Sequence, residues 1–447
     1  MHKSPRYLSV RFVSLAAMVL VLSAAAARVS ASTRQVSVES LIYDLKSPDP
    51  VRRQTAVKEL GSVKYRAAIP QLIPLARDPV AAVRRELELT LETMDDAQTL
   101  PGFLALSTDV ETDIRSRALA SLVNLHVSRA FGLTAALLNL RERMIFRSDR
   151  DLDIIVEPDV AVDPAVIDAL RARIADSDRG IRSIAIRGLG ILRAQPAIPD
   201  LLQVVREDRD DGLRFDGVRA LRKIADPSVA GELVGLLNIN ADDVRNELIA
   251  TIGSMRFGGA RAEFTRIVES AARTDEARIR ALGALADLGD PASTPLFDQL
   301  KDDRNERLRL YANEGLARTV DAAMKTQMSA ARLVEKSARV RTAQAFALLK
   351  LGESEYLDEL VRCLERRQTR ELAREYLLEI PGADRHALFA PRTATPATRI
   401  ELADVMGMMG DPEALPTLRE MAQDADKDVA RAAARAARRI TMAAGSQ

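Results

Sequence analysis

Residues 277–291 read ARIRALGALADLGDP: a small residue, an arginine, a run of leucines and alanines, then a Gly-Asp-Pro stop. A catalytic site would carry such a stretch once; a stacked lattice would carry it many times. With Arg278 as reference, the same register returns at Arg53, Arg84, Arg115, Arg182, Arg214, Arg245, Arg309, Arg341, Arg370 and Arg399, and finally at Ala430. Successive gaps are 31, 31, 67, 32, 31, 33, 31, 32, 29, 29 and 31 residues, so one unit has diverged inside the gap of 67. A beat of this length marks a solenoid, in which each unit buries its apolar flank only by stacking on the next.

The columns support that reading. Seven residues after the reference stand Leu60, Leu91, Leu122, Leu189, Leu221, Ile252, Leu285, Leu316, Leu348, Leu377, Met406 and Ala437, all apolar. Three residues after it stand Ala56, Ala118, Ala185, Ala281, Ala312, Ala373 and Ala433, with Leu, Gly or Gln in the other units. Spacings of three, four and seven lie on one helical stripe. The small column lets helices approach closely, and the large column fills the space between them. Aromatic residues make up only 4% of the chain and Trp is absent, which favours closely packed helices over a β-sandwich.

Punctuation repeats as well. Asp226-Pro227, Asp290-Pro291 and Asp411-Pro412 share one offset, where Pro ends a helix and suits the first turn of the next. Pro70, Pro101, Pro199, Pro295 and Pro416 share another, near the start of a second helix. Each unit thus reads as helix, tight turn, helix, short acidic turn. The expected fold is all-α, an α/α superhelix of about 12–13 two-helix repeats.

Stretches such as GIRSIAIRGLGILRAQPAIPDLL (180–202) and RIELADVMGMMGDPEALPTL (399–418) resemble HEAT repeats. They resemble above all the short HEAT-like kind named after phycobilisome lyases, with their Val-Arg, Leu-Gly and Gly-Asp-Pro marks. The resemblance covers about residues 36–130 and 165–442. It implies a HEAT-like solenoid, and it is shared by lyases, hydroxylases and pure scaffolds.

Eleven aligned arginines suggest an anion-binding stripe, but acids stand in the turns before them. Asp176 and Asp178 precede Arg182 by six and four residues, Asp208 and Asp210 precede Arg214 likewise, and Asp424 and Asp426 precede Ala430. Such acids can cap the helix and pair with the arginine one turn in or with that of the next unit. The favoured reading is an Asp/Arg ladder that fixes the stagger between units. As exposed pairs these contribute only ~0–1 kcal/mol each, which leaves stability to the apolar columns.

Register is lost between Leu125 and Asp168. Phe131 to Phe146 still reads as an amphipathic helix, followed by the acidic loop RSDRDLDIIVEPDVAVDP at 147–164. Counted from Asp149, a calcium loop would want Gly and Glu where Ile154 and Val160 stand. A solvated loop, with a short hairpin through DIIVEPDVAV, fits better, and a long loop on a regular array is the expected place for a distinctive contact.

The first 31 residues read as a secretory signal peptide, with Lys3, Arg6 and Arg11, an apolar run from Phe12 to Ala27, and cleavage expected after Ala31. That run is shorter than the ~18–20 apolar residues a membrane span needs. The chain therefore divides into a signal peptide (1–31), HEAT-like repeats (32–130), an irregular repeat with the acidic loop (131–164) and further HEAT-like repeats (165–442). Without the four basic and no acidic residues of the leader, 61 basic and 64 acidic residues remain, a net of −3. This balance argues against nucleic acid as a partner.

Motifs for chemistry are missing. Cys363 is the single cysteine and reads as a small apolar filler. Of the three histidines, His2 leaves with the leader, and His126 and His386 are isolated, so no metal site of the His-Glu type can be built. His126 reads as a satisfied, partly buried side chain. No phosphate loop, Gly-x-Ser-x-Gly or Cys-x-x-Cys occurs. The basic C-terminal stretch VARAAARAARRITM has too little bulky apolar surface for a membrane helix and suits the polar flank of a terminal repeat. No catalytic, cofactor-binding or metal-binding residues are nominated and no cofactor is expected. The reading is an exported, periplasmic or secreted, HEAT-repeat scaffold that holds a macromolecule, a protein above all, along a concave surface, without stable membrane insertion. The alternative is a phycobilisome lyase-like enzyme or chromophore-handling protein.

Overall fold

The structure, a computed structural model, describes residues 37–127, 155–156, 160–270, 273–319, 324–380, 382–390 and 394–445. The leader, the helix expected over Phe131–Phe146 and most of the 147–164 loop lie outside them. Every regular element among the described residues is helical. The chain forms two compact units that divide between Ala197 and Ile198.

Each repeat opens with the arginine-bearing helix, usually 13 or 14 residues long. Among the described residues the first unit holds four such helices, Pro50–Ser62, Ala81–Met94, Thr112–Asn124 and Arg179–Ile191. The second holds eight, Asp211–Ile224, Asp242–Ser254, Asp275–Leu288, Glu306–Thr319, Ala338–Lys350, Arg370–Leu378, Pro396–Met409 and Lys427–Gly445.

Local chemistry sets the boundaries. The side chains of Asp49, Asp178 and Thr274 accept backbone N–H groups of the first turns they precede. Asp275–Leu288 stops at Gly289, whose φ of 61° is cheap only without a Cβ. The Asp-Pro marks then act through an intermediate step. Asp226, Asp290 and Asp411 each cap a three-residue 3-10 turn, and a short α-helix follows. Pro70, Pro101, Pro199, Pro295 and Pro416 all stand second in those short helices, where a missing N–H costs nothing.

The two apolar columns are the core. The seven alanines and the large residues from Leu60 to Met406 are each at most 4% exposed. Ala437 departs from the expectation and is half-exposed. Within each unit several successive arginine-bearing helices make the most extensive contacts, as Pro396–Met409 with Lys427–Gly445, Glu306–Thr319 with Ala338–Lys350 and Pro50–Ser62 with Ala81–Met94 do. Those helices form one layer of each unit, the inner one, and the short second helices form the other. Small residues permit the close contact. A Cβ on Gly253 would stand 2.8 Å from that of Ala284, and one on Gly407 2.8 Å from that of Ala436.

The arginine column forms a ladder, with one correction to the sequence reading. In the first unit Arg53 binds Asp78, Arg84 binds Asp109 and Arg115 binds Asp176, each through two parallel N–H···O bonds. The third guanidinium corner of each donates to a carbonyl six residues back, in Ser47, Asp78 and Asp109 respectively. Each aspartate also accepts an N–H two residues on, from Val80, Glu111 and Asp178. One aspartate thus shapes its own turn, receives the arginine of the repeat before, and offers its carbonyl to the arginine of its own repeat.

These are not exposed pairs. The arginine side chains are 10–11% accessible and the aspartates 2–4%. The turns stack as closely as the helices do and shut water out, which sequence spacing could not reveal. Burial works to raise the Asp78 carboxyl, but Arg53 and the Val80 N–H outweigh it and hold the group below the usual carboxylate range. Arg309–Glu335 and Arg399–Asp424 repeat the rung in the second unit. Arg278 does not. It donates to the Val268 carbonyl at 2.8 Å and keeps 30% of its side chain accessible.

Candidate functional site

Many of the side chains two before and two, five and nine after the reference stand half-exposed on the inner face, and others at the same offsets are buried beneath it. In the first unit that face carries Asp113 and Arg117, with Arg85 on the preceding helix donating to Asp113 at 2.6 Å. In the second unit Arg307 and Arg280 share Glu276, Arg374 meets Glu401, and Arg435 stands 3.9 Å from Asp404. Neighbouring repeats are thus cross-linked by charge along a half-exposed surface. Two apolar side chains interrupt it: Leu89, 37% exposed, four residues beyond Arg85, and Met408, 39% exposed, four beyond Asp404.

Beneath this surface lie ionisable groups held far from their ordinary behaviour. In the first unit Glu88 is fully buried on Ala81–Met94, and burial raises its carboxyl to about 7. Ser121 donates to one oxygen at 3.3 Å, and Arg117 stands 3.8 Å from the other.

In the second unit the C-terminal ends of several inner helices converge. Arg318 donates to both oxygens of Glu379, two repeats away, at 2.8 and 2.9 Å. It also stands 3.3 Å from Asp287 and 3.7 Å from Glu314. Arg256, four repeats before Glu379, approaches it to 3.7 Å. Helices so far apart in sequence can meet only because the inner ends crowd together. Burial opposes the Arg318 charge, but the surrounding carboxylates outweigh it and raise its pKa.

Glu314 is buried, and burial lifts its carboxyl to about 7 despite Arg318. The buried Tyr376 hydroxyl donates to it across two repeats, and the Tyr376 ring stacks on Phe346 of the repeat between, centroids 4.5 Å apart. Loss of solvation also raises Asp287 and Glu375, both set in the concavity though open to water. Four carboxylates therefore surround one deeply buried guanidinium, a clamp that joins repeats rather than a catalytic pair. Arg318 is the offset-nine member of its repeat. That column is uncharged in half of the repeats and mixes Asp, Arg, Lys and Glu in the rest, so only a reading by charge sign at that offset could have pointed to the clamp.

Of the side chains weighed from sequence, Cys363 is buried with its Sγ 3.5 Å from the Thr342 hydroxyl, as a filler would be. His126 is half-buried, with Nδ1 2.9 Å from the Leu122 carbonyl. His386 lies apart from it, beside Glu413 on the surface. From the acidic loop, Val156 is buried and its N–H donates to the Ile191 carbonyl at 2.8 Å. The alternating carboxylates Asp149, Asp151 and Asp153 lie outside the described residues. Among the described residues, no group of His, Cys, Asp and Glu could hold a metal ion, and no helix is long and apolar enough to cross a membrane.

Comparison with known proteins agrees with the geometry. A family model for HEAT repeats matches residues 38–123, 161–222 and 389–446. An engineered protein of known structure is 15% identical, covers 90% of this chain and 98% of its own, with a TM-score of 0.39. The YibA protein of Escherichia coli is 13% identical over 70% of this chain and 98% of its own, TM-score 0.37. Human deoxyhypusine hydroxylase is 18% identical over 55% of this chain and 96% of its own, TM-score 0.28. No curated protein sequence matches. The chain carries HEAT repeats over those segments and has the fold of a HEAT-like α solenoid.

Proposed function

We propose that this HEAT-repeat chain is an exported scaffold that holds another protein along the face formed by its arginine-bearing helices. One observation carries the reading: that face presents half-exposed charges of both signs from successive repeats, with Leu89 and Met408 among them. Polar complementarity around a few apolar contacts is what protein–protein recognition uses. The buried clamp beneath it supports the same reading, because it fixes the face on which a partner would dock. Export rests on the basic-then-apolar leader and its small residues at Val29 and Ala31.

Photo-crosslinking residues at Leu89 and Met408, with controls at the outward-facing Gln98 and Arg362, test the reading in the cell envelope. Discrete adducts from the inner positions alone are expected, together with a mature N-terminus at Ser32. Adducts from the outer positions only, or none from either, refute the docking face. Visible spectral change on adding a tetrapyrrole would instead favour the lyase-like alternative.

A further inference from the structure

Five rungs of the arginine ladder close on an acid of the following turn, and each such acid stands six residues before the next member of the column. The rung of Arg341, inside the second unit, stays open. Six residues before Arg370 stands Leu364, which is buried and gives only its carbonyl, to Arg370 Nε at 2.9 Å. Arg341 keeps the carbonyl bonds of its own turn, from Nη1 to Glu335 at 3.0 Å and to Lys336 at 3.4 Å. Its Nε and Nη2, the corners that grip an acid in Arg84 and Arg309, have no ionic or hydrogen-bond partner among the described residues. Arg341 is half-exposed.

The turn that follows it is altered as well. Among the described residues, every other arginine-bearing helix begins three residues before its reference, but Arg370–Leu378 begins at the reference itself. Four residues before the reference, Asp178, Thr274, Ser337 and Thr395 cap their helices, and Arg366 stands in that place. A guanidinium has no acceptor for a backbone N–H, so the first helical turn is lost. Arg366, Arg367 and Gln368 are left exposed, and neither arginine side chain has an ionic or hydrogen-bond partner among the described residues. Glu365, the one acid of this turn, lies with Arg362 in a groove toward the following repeat, lined also by Thr395 and Thr398. Before Arg341, Leu333 and Val334 end their helix 87% and 79% exposed, and Lys336 beside them is exposed too.

We propose that this edge of the second unit binds an acidic segment of a partner protein, one carboxylate of which completes the open rung on Arg341. Neighbouring acids of the segment meet Arg366 and Arg367, and an apolar residue covers Leu333 and Val334. Charge complementarity identifies the occupant. Three guanidinium groups stand without acids in a chain whose net charge is only +1. The closed rungs show what this place in the lattice takes, a carboxylate held by two parallel N–H···O bonds. A lipid surface suits the edge less, because two apolar side chains bury little area in a bilayer. The edge is separate from the inner face, and its occupancy does not depend on docking there.

The test uses the full chain and fluorescence anisotropy. The probes are a synthetic peptide of glutamates around two leucines, its glutamine isostere, phosphatidylglycerol vesicles and a single-stranded oligonucleotide. Wild type is expected to bind the glutamate peptide about tenfold or more tighter than the isostere. Arg366→Glu/Arg367→Glu changes side chains without partners, so its circular dichroism should match the wild type while its affinity falls at least as far. Arg341→Lys keeps the charge but cannot make two parallel bonds, and should lose about threefold or more. Arg209→Glu, at an exposed arginine four repeats earlier, should leave the affinity unchanged. Equal binding of the isostere, full affinity in either site variant, or an equal loss in Arg209→Glu overturns the proposal. So does binding of vesicles or oligonucleotide in preference to the peptide.

Discussion

Arg84 grips Asp109 of the next repeat through Nε and Nη2, at 2.6 and 2.8 Å, while its Nη1 donates to the carbonyl of Asp78 at 2.8 Å. Both side chains are buried, so one guanidinium joins two successive turns away from water. Breaking such a pair leaves a carboxylate without compensation. Arg84→Ala is expected to cost ~3–5 kcal/mol. Arg278→Ala, at a half-exposed position that forms no such rung, should cost below ~1 kcal/mol. Denaturant melts of the two variants check this, and similar losses would show that burial of the rung is immaterial.

Leu285 sits in the large apolar column with no exposed surface. Leu285→Ala should cost ~2–5 kcal/mol, as cavity-forming changes in a close-packed core do. The same melts rank it against Arg278→Ala, and a smaller loss at Leu285 would contradict the assignment of stability to the columns.

Glu314 and Glu88 make stability fall as pH rises. Burial lifts each carboxyl to about 7, above its value of about 4.5 in the unfolded chain, so between those limits the native state holds protons that the unfolded state has released. Their favourable contribution is complete below about pH 4.5 and is lost as pH climbs through 7. Glu314→Gln cannot titrate, so it should be more stable than wild type at pH 8, by up to ~3 kcal/mol, and about equal at pH 5. Urea titrations at the two pH values read this directly. Asp78 runs the other way: its lowered pKa adds stability above the unfolded value, lost as pH falls through the folded one.

Arg318 and Glu379 hold repeats that are not neighbours. A double-mutant cycle with Arg318→Met and Glu379→Gln should give a coupling of ~1–3 kcal/mol. The single Arg318→Met change strands Asp287, Glu314 and Glu379 around an empty centre and should loosen the second unit. Spin-label distances between Asn246 and Glu371 would broaden if the clamp sets curvature; unchanged distances would mean that helix packing alone sets it.

Gly407 faces Ala436 too closely for a side chain. Gly407→Val should cost ~1–3 kcal/mol by overpacking and free the last helix first. Hydrogen exchange confined to residues 427–445 would show the release, and uniform exchange across the second unit would argue against a local seam.

Helices, their stops and their buried stripes were legible because they depend on neighbours three, four or seven residues away. The alanine and leucine columns, the capping aspartates and the proline offsets all belong to that short range. The same is true of the ladder's partners: an acid six residues before six of the eleven arginines could be seen, but not that it would serve the preceding repeat rather than the next. Burial was invisible, since whether Arg84 keeps water depends on how closely two turns stack.

The sequence by itself determined the repeat, its length, its apolar stripes and the kind of residue that ends each helix, because each is fixed by backbone geometry within one unit. Only the tertiary structure decided that Arg256, Asp287, Arg318, Tyr376 and Glu379 gather in one place and that Arg53 and Arg84 lie buried. Curvature accumulates from small rotations at many helix contacts, and no single stretch of chain encodes where distant repeats will meet.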